Sequence, residues 1–211
     1  METWEAIRSR RNVRLFTDQP IPGDHLDEIL EAGRRAPSSQ NWQPWDFVVV
    51  TERSRLVELS SVAPGAGHVA GAAAAVAICA SSTLPEGRLR TLYFDFGQAT
   101  MSMMLAAAGL RIGSGHAGVA DRELASAVLG LPDDRLCAHI ISFGYPADRE
   151  LSLIRRPARR PLSEVVHRER WLADTAPPPK AHTAPPPKAD IRDTYASSGG
   201  HPASPSLGTP R

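Results

Sequence analysis

Thr91-Leu92-Tyr93-Phe94-Asp95-Phe96-Gly97-Gln98-Ala99-Thr100-Met101-Ser102-Met103-Met104-Leu105-Ala106-Ala107-Ala108-Gly109-Leu110 is the most apolar stretch of this 211-residue chain, and its reading decides the fold. At about 20 residues it has the length of a membrane span, but Asp95 and Gln98 interrupt it, and a carboxylate in the bilayer costs roughly 2.5–3.5 kcal/mol. A helix apolar nearly all round that carries such a residue is better buried in protein. Residues 91–110 are therefore expected to form a long helix, enclosed on most sides, at the centre of the fold.

Outward from this helix the pattern alternates between helices and short strands. Trp4, Ile7 and the arginines that follow suggest a short first helix, after which residues 12–16 read as extended and Pro20 and Pro22 close the unit. Leu26, Ile29, Leu30 and Gly33 recur at helical spacing, with a stop before Pro37. Residues 45–51 are rich in valine and aromatics and read as a strand, residues 52–62 as a helix, and residues 73–80 as a second, buried strand. Asp121 can cap a helix that Gly130 and Pro132 end, residues 136–145 alternate like a strand, and Pro161 can start a final helix reaching Trp171. Helices outnumber strands, which predicts a mixed α+β arrangement.

The length suits one domain with or without a tail. Nine of the 19 prolines follow Leu172, in a stretch with almost no large apolar residues. Within it, residues 175–181 and 183–189 both read Thr-Ala-Pro-Pro-Pro-Lys-Ala, a sequence that favours extended polyproline II and cannot build a core. The expected organisation is thus a folded domain over 1–172 and a disordered Pro/Ala/Ser-rich tail over 173–211, with a polyproline-binding partner as the alternative use of the repeat. A formal net charge of +1 gives no general footprint for nucleic acid or an anionic membrane, so neither is an expected partner and any anion site must be local. The N-terminus lacks a charged start followed by an apolar run, so no secretory signal is expected. Two isolated cysteines, Cys79 and Cys137, fit a reducing cytoplasm better than a disulfide framework.

Two segments carry candidate chemistry. Arg8, Arg10, Arg11 and Arg14 crowd a helix-to-loop junction, and guanidinium groups offer the planar donor fork that suits a phosphate. Alone, the cluster also fits a solvated basic face. The loop Pro37-Ser38-Ser39-Gln40-Asn41-Trp42-Gln43-Pro44-Trp45 supplies neutral donors and acceptors that can bond a heteroaromatic ring or a ribityl chain without adding charge, or can form an ordinary turn.

Taken together and at this spacing, Arg10-Arg11-Asn12-Val13-Arg14-Leu15-Phe16 and Ala36-Pro37-Ser38-Ser39-Gln40-Asn41-Trp42-Gln43-Pro44-Trp45-Asp46-Phe47 resemble the N-terminal half of the nitroreductase family. Phe143-Gly144-Tyr145-Pro146-Ala147 and Arg159-Arg160-Pro161-Leu162-Ser163-Glu164-Val165-Val166 are similar to that family's closing strand and final basic segment. The resemblance runs from residue 4 to about residue 171. It implies a mixed sheet flanked by helices, a homodimer formed through long helices, and FMN at the subunit interface. It further implies that Arg10, Arg11 and Arg14 engage the FMN phosphate and ribityl chain, with Arg159 and Arg160 on the C-terminal side, and that Ser38, Ser39 and Asn41 line the ribityl and isoalloxazine. Position 12 is usually serine in that family; Asn12 keeps a donor there. Gly113, Ser114 and Gly115 would pass beside the flavin.

Residues 113–118 also spell G-x-G-x-x-G, but a dinucleotide fold needs a strand before that motif and a helix opening from it, whereas here a long helix precedes it. His116 and His139 read as structural imidazoles, no metal-ligand spacing occurs, and Ser38 lies in no nucleophile elbow. The lack of an acid/base pair agrees with chemistry carried by a flavin, for which the protein supplies binding and electrostatics, Arg10 and Arg11 being the candidates to stabilise negative charge on the ring. The expected activity is FMN-dependent electron transfer from NADH or NADPH to nitroaromatics, quinones or another small acceptor, by a ping-pong mechanism. The alternatives are a non-catalytic flavin- or phosphate-binding module and a reductive dehalogenase or flavin-modifying relative on the same fold. Residues 63–69 and 84–90 are the candidate substrate loops.

Overall fold

The computed structural model describes residues 1–84 and 87–171. Its elements, in order, are α1 (Thr3–Ser9), α2 (Gly23–Arg34), β1 (Asp46–Val50), α3 (Arg53–Leu59), β2 (Ala74–Ser81), α4 (Arg88–Gly109), β3 (Gly113–Gly118), α5 (Arg122–Leu129), β4 (Arg135–Gly144) and α6 (Leu162–Val165), with short 3-10 turns at Ser39–Asn41 and Gly67–Gly71. The four strands form one sheet in the order β1-β2-β4-β3, every neighbouring pair antiparallel. The chain divides into two compact units, Met1–Pro157 and a second beginning at Ala158, each described by itself. The tail expected over 173–211, with its repeat, lies outside the described residues.

β2 shows why the sheet carries helices on both faces. Its residues are buried without a break up to Ala80, and they sort by the twofold period of a strand. Val76, Ile78 and Ala80 pack with Ile29 of α2 and with Leu92, Phe96, Met103 and Met104 of α4. Ala75, Ala77 and Cys79 pack with Leu56 and Leu59 of α3 and with Ala125, Val128 and Leu129 of α5. Each large side chain fully removed from water contributes roughly 1.5–3 kcal/mol, so the two layers together fix the register of the sheet. Gly33 lets α2 close onto α4, since a Cβ there would stand 2.8 Å from Cγ of Met103.

The cap signals of α5 behave as their chemistry requires: Oδ1 of Asp121 accepts the N–H of Leu124 at 2.9 Å, and Gly130 ends the helix at φ 64°. Three expectations need correction. α4 is 22 residues long but not enclosed on most sides, because Phe94 is 69%, Tyr93 44% and Met101 42% exposed in the single chain. The helix expected from Pro161 to Trp171 is only Leu162–Val165: the β-branched Val165-Val166 pair leads into extended backbone at Val166, and Glu169 adopts φ 64°. Residues 113–118, given no strand by their composition, form β3. Among the described residues no helix is long and apolar enough to cross a membrane.

Candidate functional site

The arginine segment is held by backbone bonds to the sheet edge. The N–H of Val13 donates to the carbonyl of Ser114 at 2.8 Å, Asn12 forms a parallel bridge with Ser114, and Phe16 an antiparallel one with Pro146. The N–H of Thr17 donates to Tyr145, and the N–H of Ala147 to Leu15. Glycine is depleted in strands, but here it is required by the close approach: a Cβ on Gly113 would lie 2.7 Å from Cγ2 of Val13, and one on Gly115 would strike the Val13 carbonyl. Gly113, Ser114 and Gly115 are buried, so what they do within the chain is seat residues 12–14. Gly113→Ala is expected to displace Val13 and cost about 1–2 kcal/mol of stability, measurable by chemical denaturation of the cofactor-free protein.

The docked segment sorts its arginines. Nη2 of Arg11 donates to Oδ1 of Asp148 and to the carbonyl of Arg149, both at 2.6 Å, and only 13% of the Arg11 side chain is exposed. That hydrogen bond, aided by the Arg149 amide, holds the Asp148 carboxyl below the usual range. Arg11 therefore braces the chain within the protein through Nη2, while its buried Nε has no hydrogen-bond partner among the described residues. Arg10 and Asn12 instead line a cavity of about 350 Å³ with Gly97, Thr100, Met101 and Met104 of α4, His116 of β3, and Ala138 and His139 of β4. Neither Arg10 nor Arg14 donates a side-chain hydrogen bond or forms a salt bridge among the described residues. Arg14 is exposed; burial first, and then the Arg14 charge, push the His68 imidazole below its ordinary range. Nδ1 of His68 lies 2.9 Å from the Ser142 hydroxyl, which donates to the Gly115 carbonyl at 3.1 Å.

A β-bulge shapes the inner end of this cavity. Ile78 pairs with His139 and Cys79 with Cys137, so Ala138 is the extra residue of β4, and Ala138 and His139 both line the space. The rings of His116 and His139 have centroids 5.3 Å apart. Burial, assisted by His116, pushes the His139 imidazole down to about 4. His139 is thus a neutral wall of the cavity at pH 7.

The Ser38–Asn41 loop lies at a second cavity, of about 540 Å³, lined by Pro37, Ser38, Ser39, Arg90, Thr91, Phe94, Asp95 and Gln98. Gln40, Asn41 and Gln43 have φ of 55°, 56° and 50°, a left-handed conformation costing on the order of 1 kcal/mol or more per non-glycine residue. α4 supplies the compensation. Arg88 donates to Oε1 of Gln40 at 3.0 Å and sits 5.2 Å over the ring of Trp42. The Ser38 hydroxyl accepts the N–H of Gln43 at 2.9 Å, which leaves its own proton for a ligand. The exposed Asn41 side chain makes no hydrogen bond among the described residues.

Among the described residues, the arginine cavity and the loop cavity have no lining residue in common. A third space, about 550 Å³, runs along α4 and touches both: it shares Tyr93, Gly97 and Met101 with the arginine cavity and Pro37, Phe94 and Gln98 with the loop cavity. Arg159 and Arg160 belong to the second unit, where Arg160 pairs with Glu164 at 3.3 Å. The α4 residues Gly97, Thr100 and Met101, and the histidine pair, were not singled out as site residues in the sequence. The usable signal for the helix was Asp95 and Gln98, polar residues in a run that otherwise has every reason to be apolar.

The described residues thus form an α+β sheet with a small, helix-walled cavity, on which the Arg10 side chain makes no hydrogen bond or salt bridge among those residues. A model of the nitroreductase family matches residues 7–66. The chain is 32% identical over 174 residues, 81% of its length and 99% of the relative, to an Archaeoglobus fulgidus protein provisionally named an NADH dehydrogenase/NAD(P)H nitroreductase. It is 27% identical over 190 residues, 81% of this chain and 75% of the relative, to the FMN reductase (NAD(P)H) of Bacillus subtilis. The NADPH:FMN oxidoreductase of Vibrio harveyi, solved in complex with NAD+, superposes with a TM-score of 0.70 at 25% identity, covering 81% of this chain and 78% of that one. The chain belongs to the nitroreductase family.

Proposed function

We propose that the protein is an FMN-dependent oxidoreductase that moves electrons from NADH or NADPH to a nitroaromatic, a quinone or another small acceptor, and that it works as a homodimer. The observation that carries this reading is Arg10: half-buried, facing a cavity, and without a protein acceptor for its guanidinium among the described residues. Two of the relatives are named for FMN and NAD(P)H, which supports the same ligands here. Among this chain's residues, Arg10, Asn12 and Arg14 fit the phosphate and ribityl chain, and the free Ser38 proton, Ser39 and the Asn41 amide fit the polar edge of the ring. Arg159 and Arg160 are assigned to the phosphate side as well. The ligand-binding part is assigned to residues 1–172, residues 173–211 to an appended tail, and the two free thiols fit a reducing cytoplasm.

Bound FMN supplies hydride acceptance from the nicotinamide and electron delivery to the acceptor. The chain's own contribution is to hold the phosphate, shape the walls and exclude water. The homodimer is supported by the separation of the two half-sites and by the exposed Tyr93, Phe94 and Met101 on the helix between them. A second copy laid against that face would bring its own loop to this chain's arginine cavity and cover the apolar surface.

Protein reconstituted with FMN and freed of excess is expected to be yellow and to bleach rapidly under anaerobic NADH or NADPH. A chain that retains no flavin overturns the assignment, and bound flavin that neither nicotinamide reduces makes the protein a non-catalytic flavin-binding module. With a single pocket serving reductant and acceptor in turn, steady-state double-reciprocal plots should be parallel; intersecting lines would show that both bind together.

A further inference from the structure

Asp95 of α4 is wholly buried, and both of its carboxylate oxygens lie 3.2 Å from the backbone nitrogen of Ser39, whose N–H they accept. Oδ1 also accepts from Nε2 of Gln98 at 3.3 Å, and the same Gln98 nitrogen lies 3.2 Å from the Pro37 carbonyl, to which it donates. Among the described residues Asp95 forms no salt bridge. Burying a carboxylate against neutral donors alone is a costly way to join two elements, and an apolar side chain at this position of an apolar helix would avoid the cost. A carboxylate provides something an apolar residue cannot, which is direction. It fixes the Ser39 amide toward the core, and the chain leaving Ser39 then turns through the left-handed Gln40 and Asn41.

We infer that Asp95, braced by Gln98, is a positioning residue that presets the Ser38–Asn41 turn from inside the protein in the conformation that receives the flavin. The inference rests on the assignment of Ser38, Ser39 and Asn41 to the FMN site. A loop held in its binding conformation before the ligand arrives need not be ordered by it, and affinity rises by the ordering that is avoided. Asp95 touches no ligand in this account and acts through the Ser39 amide.

The test uses the full chain in two states. In cofactor-free protein, residue-resolved hydrogen exchange is expected to quicken about tenfold at the Ser39 amide in Asp95→Ala, while Val13, bonded to β3, keeps its rate. FMN titration of the same variant should show about tenfold weaker binding, and Asp95→Asn should recover most of both losses because an amide oxygen still accepts the N–H. If Asp95→Ala does not fold, Gln98→Ala carries the test: it keeps the carboxylate and its bonds from the Ser39 N–H but removes the Gln98 bonds to Asp95 and to Pro37, so smaller changes of the same sign are expected. Wild-type FMN affinity in Asp95→Ala, or in its place in Gln98→Ala, overturns the inference, as does faster exchange at Ser39 with affinity unchanged. If wild-type protein itself takes up no FMN, the functional assignment fails, and the exchange data alone decide whether Asp95 holds the loop.

Discussion

Arg10→Ala is expected to weaken FMN binding at least tenfold while the cofactor-free protein keeps its thermal stability. A guanidinium bonded to phosphate loses a charge-assisted contact of roughly 1.5–3 kcal/mol when truncated, and 1.4 kcal/mol is a factor of ten in affinity. Stability is spared because the Arg10 side chain makes no hydrogen bond or salt bridge among the described residues, and its backbone bond to the Ala6 carbonyl survives the substitution. The neighbouring arginines provide the contrast. Arg11→Ala removes the brace to Asp148 and the Arg149 carbonyl, so its loss should appear in stability instead. Arg8 is exposed and does not line the cavity, and its substitution should change neither quantity. Flavin fluorescence titration and thermal melts of the three variants separate these outcomes, and equal affinity losses for Arg8→Ala and Arg10→Ala would remove Arg10 from the site.

The second large effect concerns acid. His139 has an imidazole pushed down to about 4 by burial, against 6.5 for the ordinary side chain. Between those two values the unfolded chain binds a proton that the folded one refuses, so stability must fall as pH falls from about 6.5 toward 4. The loss is on the order of 2–3 kcal/mol by pH 4.5. Glu31 and Asp148 act with the same sign in a lower window: hydrogen bonds from Arg34 and from Arg11 depress their carboxyls, so their stabilising effect is complete above the ordinary carboxylate range and is lost as pH falls below it. Urea denaturation at pH 7 and pH 4.5 should therefore show a drop in wild type that His139→Gln clearly reduces, with His68, also pushed below its ordinary range, carrying part of the remainder. A drop of the same size in both proteins would place the proton uptake elsewhere.

How far the sequence could be read depends on the range of the interaction involved. β2 and α5 were legible because a run of small apolar residues and an Asp-to-Gly helix frame are local signals that tertiary contacts reinforced. β3 was not, since Gly-Ser-Gly-His-Ala-Gly has no strand propensity; its conformation comes from a neighbouring segment that only glycine lets approach. Arg10 and Arg11 are alike in sequence but not in their partners, and the one that separates them, Asp148, lies 137 positions away from Arg11. The polar character of the Ser38–Asn41 loop was legible, but its left-handed turns and its hold from α4 were not. Asp95 counted in the sequence only as an argument against a membrane span.

The docking of residues 12–14 on β3 also sets an order of assembly. Asn12 and Ser114 are roughly a hundred residues apart, so their contact closes one of the longer loops in the chain, and such closures are made late because their entropy must be met before the contact stabilises anything. The helix pairs and the β1–β2 ladder can form without it. On a growing chain Arg10 is made well before β3 and β4, yet it reaches its place on the cavity wall only once both have been added. A flavin present during folding would accordingly act on the final closure and have no part in nucleation.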